Sequence, residues 1–207
     1  MTSTEHFDQA AANWDLTERR VLLAKAVAAA IAQRVALRPT LKVLDFGCGT
    51  GLVALELAGR VGSLSGADTS PEMLKALADK ARAQGLAVGL LSLEPEGGGD
   101  LGGPYDLIVS SMTLHHVADV PALFRRFLDH LRPGGRVALA DLDEEDGGFH
   151  GDQLGVCHLG FPRPQIKRWL ETAGYREVAL DTATVTHKEG RDYPVFLATA
   201  TAPAGES

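Results

Sequence analysis

The run LKVLDFGCGTG, Leu41 to Gly51, leaves few architectures open to this chain. An apolar stretch of strand length carries Asp45 near its end and is followed by glycines at alternate positions, Gly47, Gly49 and Gly51. A continuous apolar run of this kind fits a strand covered on both faces, and the glycines mark a sharp turn into a helix. Glycine reaches positive φ readily and puts no Cβ between the main chain and whatever lies against it. The turn therefore reads as a place where a small, nucleoside-like molecule approaches the backbone.

The rest of the chain alternates in the same way. A helix is expected from Thr17 to about Leu37, stopped by Pro39, and a first crossover helix over Leu52–Arg60. A strand over Ser63–Ala67 ends in Asp68. Ser70 and Pro71 then supply the N-cap and first position of a helix running to about Gln84, which Gly85 ends. Further strands are expected at Leu86–Leu93, Tyr105–Met112 and Arg136–Leu142, with helices at Val120–Leu131 and Gln165–Ala173. Arg132-Pro133-Gly134-Gly135 forms a stop and turn, and Glu94–Pro104 a glycine-rich surface loop. Two extended stretches, Tyr175–Thr186 and Tyr193–Thr201, are separated by a short turn and read as an antiparallel pair. Strands alternating with helices predict a doubly wound α/β sheet with helices on both faces and a ligand at the carboxyl ends of its strands. With 207 residues, a single domain is expected: a helical cap segment (1–38), a cofactor-binding half (39–142) and a substrate-side portion (143–207).

Spacing narrows the ligand. A dinucleotide fingerprint wants glycines at its first, third and sixth positions, but the sixth position from Gly47 is Leu52, and no Gly-Lys-Ser/Thr follows to cradle phosphates. The segment reads instead as Asp-x-Gly-x-Gly-x-Gly. With Asp68-Thr69-Ser70-Pro71-Glu72-Met73-Leu74, Tyr105-Asp106-Leu107-Ile108-Val109, Leu114-His115-His116-Val117 and Leu131-Arg132-Pro133-Gly134-Gly135 in that order, the chain resembles the class I S-adenosylmethionine-dependent methyltransferases of the small bacterial type. The resemblance covers most of the chain. It implies a Rossmann-like seven-stranded sheet, mostly parallel with one antiparallel strand near the C-terminus. It also implies S-adenosyl-L-methionine as methyl donor, with S-adenosyl-L-homocysteine as product.

Residue roles follow as expectations. Asp68, at the end of the second strand, is placed to accept hydrogen bonds from a ribose diol. Its alternative, a helix cap, is better met by Ser70. Asp45 and the main chain of Gly47, Cys48, Gly49 and Gly51 would face the methionine amino and carboxyl groups, while Asp45 could equally hold the turn. Thr69 and Met73 follow Asp68 in the second motif. Leu93 and Glu94 would meet the adenine, Ser110 and Ser111 the sulfonium end, and Phe7 and Trp14 belong to a segment that closes over the cofactor or anchors to the core.

On the acceptor side, His116, His150 and His158 are the candidate catalytic residues, as bases where the acceptor must lose a proton. The His115-His116 doublet also fits plain hydrogen-bonded loop residues. The stretch from Asp143 to Pro164 is expected to act as a lid or wall. No metal is expected, since the spacing of His150, Cys157 and His158 fits no zinc pattern. The acidic run Asp141, Asp143, Glu144, Glu145 and Asp146 argues for a neutral or cationic small-molecule acceptor. A net charge of −7 disfavours nucleic acid, and the absence of a signal or spanning stretch points to a cytoplasmic protein without membrane attachment, monomeric or homodimeric. Arg19-Arg20 and Arg125-Arg126 are short basic pairs on helix faces. Two other classes stay open: a regulatory protein that binds the cofactor without transfer, and a methyltransferase for protein or RNA. An aminopropyltransferase of similar fold is a further chemical alternative.

Overall fold

A computed structural model describes residues 2–94, 97–150 and 155–205. Helix α1 (Ser3–Ala10) and a 3-10 helix (Ala11–Leu16) precede α2 (Glu18–Arg34). Then come β1 (Lys42–Phe46), α3 (Leu52–Ala58), β2 (Ser63–Asp68), α4 (Pro71–Ala83), β3 (Val88–Ser92), β4 (Tyr105–Ser111) and α5 (Val120–Asp129). The chain closes with β5 (Leu131–Leu142), α6 (Arg163–Ala173), β6 (Arg176–Lys188) and β7 (Arg191–Thr201). The strands form one seven-stranded sheet in the order β3-β2-β1-β4-β5-β7-β6. β1 to β5 pair in parallel, and β7 pairs antiparallel with both β5 and β6. Only β7 therefore runs against the rest, as the resemblance implied.

Successive residues of the central strands enter opposite cores because side chains alternate across a pleated sheet. Val43, Leu107, Val109 and Ala138 join α2 and α3 on one face. Leu44, Ile108, Val137 and Leu139 join α5 and α6 on the other. Phe124 and Phe127 of α5 are wholly buried, each contributing about 1.5–3 kcal/mol of apolar transfer free energy. The order reverses between β1 and β4, so the carboxyl ends of these strands, at Phe46 and Ser111, open the crevice where ligands bind in such sheets.

Two elements differ from expectation. The first residues form a helix that the sequence reading passed over. Its signal is a capping box, in which Thr2 Oγ1 accepts from the Glu5 amide and the Glu5 carboxylate accepts from the Thr2 amide. The turn at Arg132–Gly135 lies inside β5 as an outward bulge, with Leu131 paired to Tyr105 and Arg136 to Leu107.

Candidate active site

The glycine turn is built by close packing at two positions and left open at the third. All three glycines have positive φ, at 70°, 52° and 84° for Gly47, Gly49 and Gly51. A Cβ on Gly47 would lie 2.3 Å from Thr113, and one on Gly51 2.3 Å from Leu77. On Gly49 it would meet nothing nearer than Met73 Sδ at 4.0 Å. Gly49 is thus the position of the three where a ligand has room at the main chain. Cys48 turns its thiol into the core, where a Cβ on Gly66 would lie 2.8 Å from its Sγ. Its amide and that of Gly47 both donate to the Ala67 carbonyl.

Two carboxyl groups flank this turn, Asp45 buried and Asp68 half-buried. Asp45, 2% exposed, lies beside the Ala54 amide in the first turn of α3, where the N-cap Gly51 offers no side chain. Burial first, and then the neighbouring Asp68, raise its pKa to about 8. Asp68 accepts from the Gly49 amide at 2.8 Å through one oxygen and the Ser70 amide at 2.9 Å through the other. Burial raises its pKa too, against the pull of those amides. Each oxygen keeps a lone pair beyond its amide. Ser70 caps α4 by accepting from the Met73 amide at 3.1 Å, so Asp68 is not the cap. The structural role first set against ligand binding at Asp45 is therefore present, and it leaves the carboxyl at the turn.

The N-terminal segment covers this region through two further aspartates. Asp8 accepts from Ser70 Oγ at 2.5 Å, and Asp15 from Thr50 Oγ1 at 2.6 Å and Lys80 Nζ at 2.5 Å. Phe7 stacks edge-on against Trp14 at 5.8 Å and against His116 at 5.2 Å, linking the segment to the acceptor side.

There three imidazoles gather. His115 lies 4.2 Å from His116 and 4.5 Å from His150, ring centre to ring centre. His115, fully buried, holds Asp141 at 2.8 Å through Nδ1, a hydrogen-bonded structural pair. His116 Nδ1 faces the Gly155 carbonyl at 2.7 Å and so must carry its proton, leaving Nε2 as the basic nitrogen. Burial, with His115 alongside, lowers the pKa of His116 to about 4, and the same two causes do so for His150. Both rings are neutral at pH 7. His150 Nε2 is buried without a hydrogen-bond partner among the described residues. His158 is apart from this cluster, its Nε2 on the Val117 carbonyl at 3.0 Å and its ring against Phe161.

A family model for the methyltransferase domain matches residues 17–180. The chain belongs to that family. It is 32% identical to an uncharacterised methyltransferase of Schizosaccharomyces pombe over 60% of this chain and 49% of the relative. It is 37% identical to trans-aconitate 2-methyltransferase of Deinococcus radiodurans over 55% of this chain and 42% of that enzyme. The chain thus spans half or less of these relatives' length. Magnesium protoporphyrin IX methyltransferase from Synechocystis, solved with S-adenosylmethionine bound, superposes with a TM-score of 0.68 at 19% identity, over 97% of this chain and 92% of its own. That likeness shows the fold.

The methyltransferase family uses S-adenosyl-L-methionine, and the site fits it. Buried Asp45 and half-buried Asp68 beside an open glycine supply acceptors of the kind that ribose hydroxyls and an ammonium group require. Other expected contacts of the methyltransferase lie less directly. Met73 and Leu93 are buried, Met73 below Gly49 and Leu93 in the core beside α5. Glu94 is exposed at the start of the glycine loop, and Arg126 donates to the Gly97 and Gly99 carbonyls of that loop. Ser110 is turned into the sheet, donating to the Phe46 carbonyl at 2.8 Å, while Ser111 and Thr69 are half-buried at the strand ends.

Four of the five residues of the acidic run are engaged by neighbours. Asp141 is held by His115, Asp143 by Arg163 at 2.7 Å and 2.8 Å, Asp146 by Arg191, and Glu145 accepts the Gly147 and Phe149 amides. Arg163 and Arg191 offset two of the run's five carboxylates, Asp143 and Asp146, which weakens the charge argument for a neutral or cationic acceptor without removing it. Residues 151–154 of the expected lid lie outside the described residues. Among the described residues no group of His, Cys, Asp and Glu is arranged to hold a metal ion.

Proposed function

We propose that this chain transfers a methyl group from S-adenosylmethionine to a small-molecule acceptor by in-line displacement. The observation that carries the reading is the pair Asp45, buried, and Asp68, half-buried, near the ends of adjacent strands with Gly49 open between them. Bound there, the cofactor supplies an electrophilic methyl group on a sulfonium. Asp68 would hold the ribose hydroxyls through its remaining lone pairs, and Asp45 the amino group. The N-terminal segment, tied down by Asp8 and Asp15, would exclude water, and positioning with solvent excluded supplies much of the rate in such a displacement. His116 Nε2 would take a proton from an acceptor that has one to lose, with Nδ1 anchored on Gly155 to fix the ring. His150, with its unpartnered nitrogen, is the second candidate for this task.

Calorimetric titration with S-adenosylmethionine and S-adenosylhomocysteine tests the reading, with Asp68→Ala as control. Micromolar binding by the native chain, weakened about 100-fold by the substitution, is expected for loss of charge-assisted hydrogen bonds worth roughly 3 kcal/mol. Affinity indifferent to Asp68 would refute it.

A further inference from the structure

The basic pair Arg19-Arg20 is the strongest feature that the cofactor site leaves unexplained. The two guanidinium groups project from the first turn of α2 onto two aromatic rings. Arg19 Cζ lies 4.7 Å from the centre of Phe149, and Arg20 Cζ 3.7 Å from the centre of Trp14. These rings belong to one circuit of contacts. Phe149 meets His150 at 5.1 Å, His150 meets His115, His115 meets His116, and His116 meets Phe7, which meets Trp14. The adjacent arginines close the circuit on the side opposite His116.

Their electrostatic situation is unusual. Both are half-buried, burial works against the charge of each, and Arg19 works further against Arg20. Neither has a carboxylate within ion-pair distance among the described residues. Arg20 reaches only the Trp14 carbonyl at 3.5 Å and Thr17 Oγ1 at 3.4 Å. Nearby carboxylates are engaged elsewhere, Asp15 by Lys80 and Asp146 by Arg191, and Glu18 is exposed. The half-buried guanidinium groups thus carry no counter-charge among the described residues and are open to an anion from solution. The arginine fork matches a carboxylate in bidentate geometry, and the ring beneath fixes its plane.

We propose that Arg19 binds a carboxylate on the methyl acceptor, holding it against Phe149 with the nucleophilic end toward His150 and His116. This rests on the methyltransferase reading above and adds the substrate class, a small organic acid. The cofactor's own carboxylate is the other source of the same chemistry. Arg20, whose ring partner Trp14 adjoins the Asp15–Thr50 contact, stands on the glycine-turn side, whereas Arg19 stands on the acceptor side.

Benzoate, succinate and 4-hydroxycinnamate, each beside its primary amide, are titrated into the full chain with and without saturating S-adenosylhomocysteine. The native protein is expected to bind at least one acid about tenfold more tightly than its amide, as a charge-assisted pair gives. Arg19→Gln removes that preference and leaves S-adenosylhomocysteine affinity within about twofold, while Arg19→Lys keeps part of it. Equal binding of acids and amides, no acid binding, or an acid preference that survives Arg19→Gln overturns the assignment. So does an Arg19→Gln variant that loses S-adenosylhomocysteine affinity, which would give the guanidinium to the cofactor. Native protein that fails to bind S-adenosylhomocysteine sinks the methyltransferase reading instead.

Discussion

The three glycines of one turn make separate demands. At Gly47 a methyl group collides with Thr113, whose side chain also donates to the Gly47 carbonyl at 3.3 Å, and the φ of 70° is unfavourable for alanine. Gly47→Ala is therefore expected to cost about 2–4 kcal/mol in urea denaturation from strain and clash together. Gly49 has the same positive φ but no neighbour to strike. Gly49→Ala should cost only about 1–2 kcal/mol of stability, because backbone strain acts there alone, yet remove most cofactor affinity by occupying the open face. Equal stability losses at the two positions would contradict this division between packing and binding.

Among the elements, the N-terminal helix and its 3-10 extension are held chiefly by side-chain ties rather than by a large apolar face. In them Ala11 is the residue classed as buried. Asp15 reaches both Thr50 on the glycine turn and Lys80 on α4. Because the Asp15–Lys80 pair is part-exposed, solvent screening keeps its own contribution to about 1 kcal/mol or less. The Thr50 bond adds a charged hydrogen bond of about 1–2 kcal/mol. Asp15→Ala should lower the opening free energy of residues 5–16 by about 1–2 kcal/mol in native-state hydrogen exchange while leaving the centre of α2 protected as before. Unchanged protection in residues 5–16 would show that the aspartate does not hold the segment.

Across the whole molecule, buried ionisable groups set opposing limits on stability with pH. His116 and His150 titrate near 4 when folded against an ordinary value of 6.5, so the unfolded chain binds more protons between these values. Their contribution is complete above pH 6.5 and is lost as pH falls toward 4, by up to about 3 kcal/mol for the more buried His116. Asp45 acts in reverse, with a folded pKa of about 8 against 3.8. Its contribution is complete below pH 3.8 and lost as pH rises to 8. Urea-denaturation stability measured from pH 4 to 8 should therefore lose much of its acid-side slope in His116→Asn and of its alkaline-side slope in Asp45→Asn. Slopes identical to the native protein's would refute both assignments.

The fold and the glycine turn were legible in the sequence because both rest on local patterns. Apolar runs alternating with amphipathic ones specify strands and helices, and the Asp-x-Gly-x-Gly-x-Gly spacing needs no distant partner to be read. Ser70 as helix cap and the antiparallel pairing of the last two strands followed in the same way. The sequence alone could not say which glycine leaves room at the main chain, since Thr113 and Leu77 that close off Gly47 and Gly51 come from other elements. Nor could it foresee that Asp143 and Asp146 of the acidic run would pair with Arg163 and Arg191, or that Arg19 would lie on Phe149 with no counter-charge among the described residues. Charge and exposure depend on what the folded chain brings within a few ångströms, and most of those neighbours are remote in sequence.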